Sequence, residues 1–228
     1  MGLYVISVGG SLIVPEDIDT HFLSIFKQFI IKRIEKGDRF ILVAGGGKTA
    51  RKYQMAAGEV SGLDDEEKDW LGIHSTRLNA HLLRTVFKLH ANPIVIKDFD
   101  KQTDIVFNEK ILVGAGWKPG WSTDYIAVLL AEKYGANTII NLSNIDYVYS
   151  DDPKLNPDAK KYERIKWSDF ISIVGDKWDP GLSAPFDPIA SKRANKNNYK
   201  VAILNGKNLE NLNNYLNGKK FEGTLISN

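Results

Sequence analysis

The feature that most constrains this chain is its rhythm: short apolar runs, several ending on glycine, alternate with longer helical patterns. Leu3 to Val8 runs into Gly9-Gly10-Ser11, and Arg39 to Ala44 runs into Gly45-Gly46-Gly47-Lys48. Strands separated by helices pair through crossovers, so the rhythm predicts an α/β fold: a mostly parallel central sheet sandwiched by helices. A helix is expected from about Ile18 to Lys36, ended by Gly37, with Phe22, Ile25, Phe26, Phe29 and Ile30 as its apolar stripe. A helix from Lys48 leads to an acidic, exposed stretch at Asp64 to Glu67, and a second long helix carries Leu71 to Leu89.

The pattern then repeats. Pro93 to Lys97, Ile111 to Gly114 and Thr138 to Leu142 read as strands, with a helix over Thr123 to Tyr134 stopped by Gly135. Residues 143 to 166 form a connection rich in Asp, Asn and Pro. A helix over Pro188 to Asn197 has Asp187 at its N-cap and proline in its first position. A strand at Val201 to Leu204, a helix at Leu209 to Leu216 and a strand near Thr224 to Ile226 close the chain. There is no internal repeat, low-complexity tract or flexible linker, and the 228 residues read as a single domain.

Three glycine clusters stand where strands end: Gly9-Gly10, Gly45-Gly46-Gly47, and Gly114 with Gly116 and Gly120. Ligands of open α/β sheets bind outside the carboxyl ends of the strands. Glycine there lets backbone N–H groups approach an anion, and the helix that follows favours negative charge. One such cluster is as readily a tight turn; three point to a polyphosphate cradle. Gly45-Gly46-Gly47-Lys48-Thr49 lacks the four-residue spacer of a Walker A loop, and no full G-x-G-x-x-G carries an acid at the dinucleotide distance, so neither a P-loop nor a Rossmann site is supported.

Charge and composition narrow the setting. Lys+Arg number 30 against 28 Asp+Glu, a net charge of +2, which argues against a broad nucleic-acid footprint. With no cysteine, disulfides, thiolate catalysis and cysteine metal sites are excluded. No signal peptide is apparent, and no apolar run approaches the roughly 20 residues of a membrane span. A soluble, cytoplasmic protein that binds neither nucleic acid nor membrane is expected.

At the level of motifs the chain resembles the amino acid kinase superfamily, and within it the archaeal-type UMP kinases, nearly end to end. The residues that carry this are Gly9 to Leu12, Gly45 to Arg51, Gly72 to Ala80 with its Thr76-Arg77-Leu78-Asn79-Ala80 run, and Pro119 to Asp124. Asn144 to Asp146 with Val148-Tyr149, Asp152-Pro153-Lys154, and Asp187 to Lys192 complete the set. The resemblance implies transfer of the γ-phosphoryl of ATP to UMP, with Mg²⁺ accompanying ATP, in pyrimidine nucleotide biosynthesis. It also implies a homo-oligomer, a hexamer built from dimers, with the acceptor side in the N-terminal part of the domain and the ATP side in the C-terminal part.

The family's UMP-binding positions fall on Gly46, Asp69 and the loop Gly116, Trp117, Lys118, Pro119, Gly120, Trp121 and Ser122. Those around the ATP phosphates fall on Gly10, Ser11, Gly47 and Arg51, and those around its nucleoside on Ser143, Asn144, Tyr149 and Asp152. Asp69 either accepts from ribose hydroxyls or is a solvated acid in an acidic run. Arg77 either forks onto the acceptor phosphate or stands on the helix surface. Lys192 is the first candidate for a cation touching the transferring phosphoryl and Lys48 the second. Asp124 is an orienter of lysines and water or an ordinary early-helix acid. None of the four histidines is required, and no residue is assigned as a metal ligand.

Three departures stand out. Ser7 occupies a position where many superfamily members carry lysine, Tyr147 replaces a glycine near the adenine side, and Trp117 and Trp121 replace smaller or polar residues in the acceptor loop. The tryptophans either stack on a base, narrow the pocket, or pack on neighbouring loops. Two rival functions follow: a superfamily kinase with another small acceptor such as isopentenyl phosphate, and a nucleotide-binding regulatory or storage protein of low turnover.

Overall fold

A computed structural model describes residues 1–102, 104–153, 155–175 and 184–228; Lys154 of the Asp152-Pro153-Lys154 run lies outside the described residues. The first half of the chain supplies β1 (Leu3–Val8), α1 (Gly10–Ile13), α2 (Thr20–Glu35), β2 (Arg39–Ala44), α3 (Gly47–Ser61), α4 (Asp65–Val86), β3 (Ala91–Ile96) and β4 (Ile111–Gly114). The second supplies α5 (Thr123–Tyr134), β5 (Thr138–Ser143), β6 (Val148–Tyr149), β7 (Lys161–Tyr162), β8 (Arg164–Lys166), α6 (Trp167–Val174), α7 (Pro188–Lys196), β9 (Lys200–Asn205), α8 (Leu209–Leu216) and β10 (Thr224–Ser227).

Eight strands form one sheet in the order β3-β4-β2-β1-β5-β9-β10-β8. The strands from β3 to β9 run parallel, and β10 turns back against β9. Successive residues of a strand face opposite sides, so a sheet covered on both faces needs continuous apolar strands. Phe-Ile-Leu-Val-Ala at the end of β2 meets that demand: Phe40, Leu42 and Ala44 join one core with Phe26, Ile30 and Leu83, while Ile41 and Val43 join the other with Ile126, Leu130 and Ala190. Helices α2, α4 and α8 therefore cover one face and α5, α6 and α7 the other.

From β1 the chain moves to β2 on one side and later returns to β5 on the other. That reversal opens a crevice at the carboxyl end of β1, the place where open α/β sheets bind ligands. The main strands and helices agree with the expected ones to within a few residues, and four points differ. The acidic stretch at Asp64 to Glu67 is exposed as expected, but α4 begins in it rather than near Leu71: Asp64 caps the helix by accepting from Glu67 N at 2.8 Å, and the acids fill its first turn, where the helix dipole favours them. The expected connection 143–166 contains the β6–β7 hairpin and edge strand β8. Helix α6, with Trp167 and Phe170 fully buried, was not anticipated, nor was the single turn α1. Among the described residues no helix is long and apolar enough to cross a membrane.

Candidate active site

The crevice is built on two glycine turns that touch. Gly9 N donates to Leu142 O at 2.8 Å, tying the β1 turn to the end of β5, and Gly45 N donates to Val8 O at 2.9 Å. A Cβ on Gly10 would collide with the backbone of Gly47, and Gly47 itself takes a left-handed φ of 67° over the Gly10 carbonyl. The glycines expected to clear space for an anion also clear space for one another. Lys48 N then donates to Val14 O at 2.9 Å, which fixes the start of α3 against the end of α1. Ser11 stands in the first turn of α1, where backbone N–H groups have no intrahelical acceptor.

The positions assigned to the ATP nucleoside follow one another along the adjoining strand end. Ser143 closes β5, its carbonyl accepting from Gly206 N at 2.9 Å, with Asn144 exposed beside it. Tyr149 is held in the hairpin opposite Lys161, and the Asp152 carbonyl accepts from Leu155 N and Asn156 N.

On the other side of β1 a cavity of about 440 Å³ lies between α3, α4 and the loop after β4. Gly46, Asp69, Gly116, Trp121 and Ser122 line it, together with Gly47 and Arg51 from the ATP-phosphate set. Asp69 accepts from Gly120 N at 2.8 Å, so its carboxylate shapes the loop as well as facing the cavity. Arg77 turns its guanidinium to the loop after β4. Its Nε donates to Gly116 O at 3.1 Å and its Nη2 to Trp117 O at 2.6 Å, bracing the loop through its carbonyls. Trp117, Lys118 and Pro119 do not line this cavity. Trp117 packs on Phe99 and Trp121, and Lys118 lies over the Trp117 ring, 3.4 Å from Asp100.

Helix α4 holds both walls. Buried Asn79 donates to Gly45 O at 2.8 Å and Gly46 O at 3.1 Å, and Thr76 Oγ1 accepts from Gly116 N at 2.9 Å. The sequence contained a signal for this clamp: Thr76 and Asn79 are polar residues one turn apart on the buried face of a helix, and buried polar groups need partners.

Asp124 lies where three elements meet. Its Oδ1 accepts from Ser7 Oγ of β1 at 3.2 Å and its Oδ2 from Asp187 N at 3.2 Å, at the head of α7. Desolvation first, and then the neighbouring Asp187 carboxylate, raise its pKa to about 7, against the lowering effect of those two hydrogen bonds. Burial raises the Asp187 carboxyl as well, although it caps α7 by accepting from Ala190 N at 2.5 Å and is hydrogen-bonded by Ser122. Sequence reasoning saw Asp187 only as a cap and Ser7 only as a missing lysine; together they set the environment of Asp124.

The two candidate lysines do not line the cavity between α3 and α4. Lys48 donates to Glu16 Oε1 at 3.0 Å. Lys192 is exposed on α7 and lines a separate cavity of about 330 Å³ with Tyr125, Glu132 and Arg193. The structure thus brings Gly46, Gly47, Arg51, Asp69, Gly116 and Ser122 around one cavity, with neither lysine in its lining.

A doubly covered, mostly parallel sheet with glycine turns, a cavity and a carboxylate pair at its strand reversal defines an α/β ligand-binding crevice. The Amino acid kinase family pattern matches residues 2–205. The uridylate kinase of Thermococcus kodakarensis is 37% identical over 223 residues, covering 97% of this chain and 98% of that protein. The uridylate kinase of Pyrococcus abyssi is 36% identical over the same length. The crystal structure of uridylate kinase from Archaeoglobus fulgidus superimposes with a TM-score of 0.81 at 31% identity, covering all of both chains. The chain belongs to the amino acid kinase family.

Proposed function

We propose that this protein is a UMP kinase, transferring the γ-phosphoryl of ATP to UMP to give UDP and ADP. The observation that carries the reading is the shared cavity: Gly46, Asp69, Gly116 and Ser122 of the acceptor set line one space with Gly47 and Arg51 of the donor set. Its archaeal relatives over nearly the whole length are uridylate kinases. No observation favours isopentenyl phosphate or a low-turnover binding role.

Phosphoryl transfer asks a protein mainly to position donor and acceptor in line and to offset charge. UMP enters the cavity with its phosphate toward Gly46 and its ribose toward Asp69. ATP lies across the interlocked turns, its phosphates toward Gly10, Ser11, Gly47 and Arg51 and its nucleoside along Ser143, Asn144, Tyr149 and Asp152. A UMP phosphate oxygen is already anionic, so no strong general base is needed. Asp124 orients the groups around the transferring phosphoryl. Lys48 and Lys192, each on a flexible four-carbon stem, are the cations proposed to swing toward it.

Bound with the ATP phosphates, Mg²⁺ would offset the charge between them. Among the described residues no cluster of three or more carboxylates or imidazoles could cage a metal alone. Asp124 and Asp187 fit the one or two carboxylates that Mg²⁺ takes from protein when phosphates supply the rest.

We place the enzyme in the cytoplasm, in pyrimidine nucleotide synthesis, and as a homohexamer. Helix α3 supports assembly: of its 15 residues only Ala50 is buried, while Tyr53, Met55 and Val60 are 63%, 63% and 86% exposed. The test of activity is ADP release with Mg²⁺-ATP against UMP, CMP, AMP, GMP and isopentenyl phosphate. UMP is expected to give the highest kcat/KM; a better acceptor elsewhere in the panel, or no turnover at all, refutes the assignment.

A further inference from the structure

The loop that closes the acceptor cavity is backed by an aromatic ladder of Phe99, Trp117, Trp121 and Tyr125. Phe99 and Trp117 have ring centroids 5.4 Å apart, Trp117 and Trp121 6.4 Å, and Trp121 and Tyr125 4.2 Å with planes 29° apart. Trp121 lines the acceptor cavity on one side and, on the other, an outer groove of about 510 Å³ shared with Trp117, Tyr125 and Leu129. It is therefore a partition one ring thick.

The partition is fixed from behind. Tyr125 stands in the first turn of α5, with its N–H on Ser122 Oγ at 3.1 Å, and its ring is the closest stacking partner of Trp121. The Tyr125 hydroxyl accepts from Arg193 Nη1 at 2.8 Å, and the same guanidinium grips Glu132 Oε2 through Nε at 2.9 Å and Nη2 at 2.7 Å. The backbone that carries Trp117 and Gly116 is held by Arg77. A wall held by ring stacking on one side and by loop carbonyls on the other has little room to yield to a larger guest.

We propose that Trp121 sets acceptor size: it is the wall that excludes two-ring bases, and Tyr125, through its stacked ring, is the positioning residue that keeps it closed. This rests on the reading of the cavity as the acceptor site. Removing the indole opens the cavity into the outer groove and admits purine monophosphates, while removing only the Tyr125 hydroxyl leaves the stacked ring in place.

The experiment measures kcat/KM for UMP and AMP in wild type, Trp121→Ala, Trp121→Leu, Tyr125→Ala and Tyr125→Phe, with calorimetric titration of both nucleotides and a thermal melt of each variant. The UMP/AMP ratio is expected to fall by about tenfold or more in both Trp121 variants and in Tyr125→Ala, and to stay near wild type in Tyr125→Phe. A folded Trp121 variant with the wild-type ratio overturns the proposal, as does a Tyr125→Ala that lowers only the melting temperature. A wild type that fails to turn over UMP defeats the kinase reading instead, and the binding ratio from calorimetry then still decides whether Trp121 is the wall. Should both Trp121 variants fail to fold, Tyr125→Ala against Tyr125→Phe decides it.

Discussion

Asp124 shows how far one side chain is defined by its surroundings. In sequence it is an acid at the second position of a helix, an ordinary place for one. In the fold it is desolvated, faces a second carboxyl and accepts a hydrogen bond from Ser7 Oγ. A folded-state pKa of about 7 against an ordinary 3.8 means that the folded chain holds a proton which the unfolded chain has released across that range. Stability of the ligand-free protein is therefore greatest at low pH within this window and falls as pH rises from about 4 to 7. At about 1.4 kcal/mol per pH unit, the gap of roughly 3 units amounts to about 4 kcal/mol at most. Asp124→Asn should flatten that slope, raise the melting temperature at pH 8 more than at pH 5, and lower kcat. Equal melting shifts at both pH values would contradict the assigned environment.

Among the elements, α4 does what its sequence half reveals. The Thr76 to Ala80 run was legible as a family signature, but its work as a clamp was not, because Asn79 and Thr76 act on turns more than 30 residues away. Asn79→Ala should leave the Gly45 and Gly46 carbonyls without their donor, at a cost of about 1–3 kcal/mol for the unpaired groups. Urea denaturation should show that loss, and KM should rise for both substrates because the clamped turn borders both. A change in KM for UMP alone would mean that the turn serves only the acceptor.

The same contrast explains which elements could be read in advance. The parallel strands were legible because burial on both faces demands unbroken apolar runs, as in Phe40 to Ala44. The β6–β7 hairpin was not, since each strand has two residues and Val148 is fixed by tertiary contact, its N–H on Thr224 Oγ1 at 2.8 Å. Helix α6 follows β8 without a break and is only eight residues long, too short for its period to stand out. Of the residues lining the cavity between α3 and α4, Gly46, Asp69, Gly116, Trp121 and Ser122 had been singled out in sequence; the aromatic ladder behind it had not, because Phe99 and Tyr125 have no marker that links them to the loop.

At the scale of the molecule, α3 is the element least explained by a lone chain. Helices draw most of their stability from packing one face, and this one buries almost nothing. If copies assemble through it, Val60→Asp should weaken the assembly, and light scattering should then report species nearer the 25.6 kDa subunit. An unchanged mass for Val60→Asp, at concentrations where the parent is oligomeric, would move the interface elsewhere.

The interlocked turns at Gly10 and Gly47 have a consequence for how the enzyme can change over time. Because each loop occupies the room the other would need for a side chain, neither can drift alone: an alanine acceptable on one strand end is vetoed by the backbone of its neighbour. The gap between the two turns is thereby inherited from main chain rather than from replaceable side chains, as though two halves of a gauge were cast in one piece. Variation is pushed outward, to side chains such as Trp121, while the spacing of the two turns stays the same.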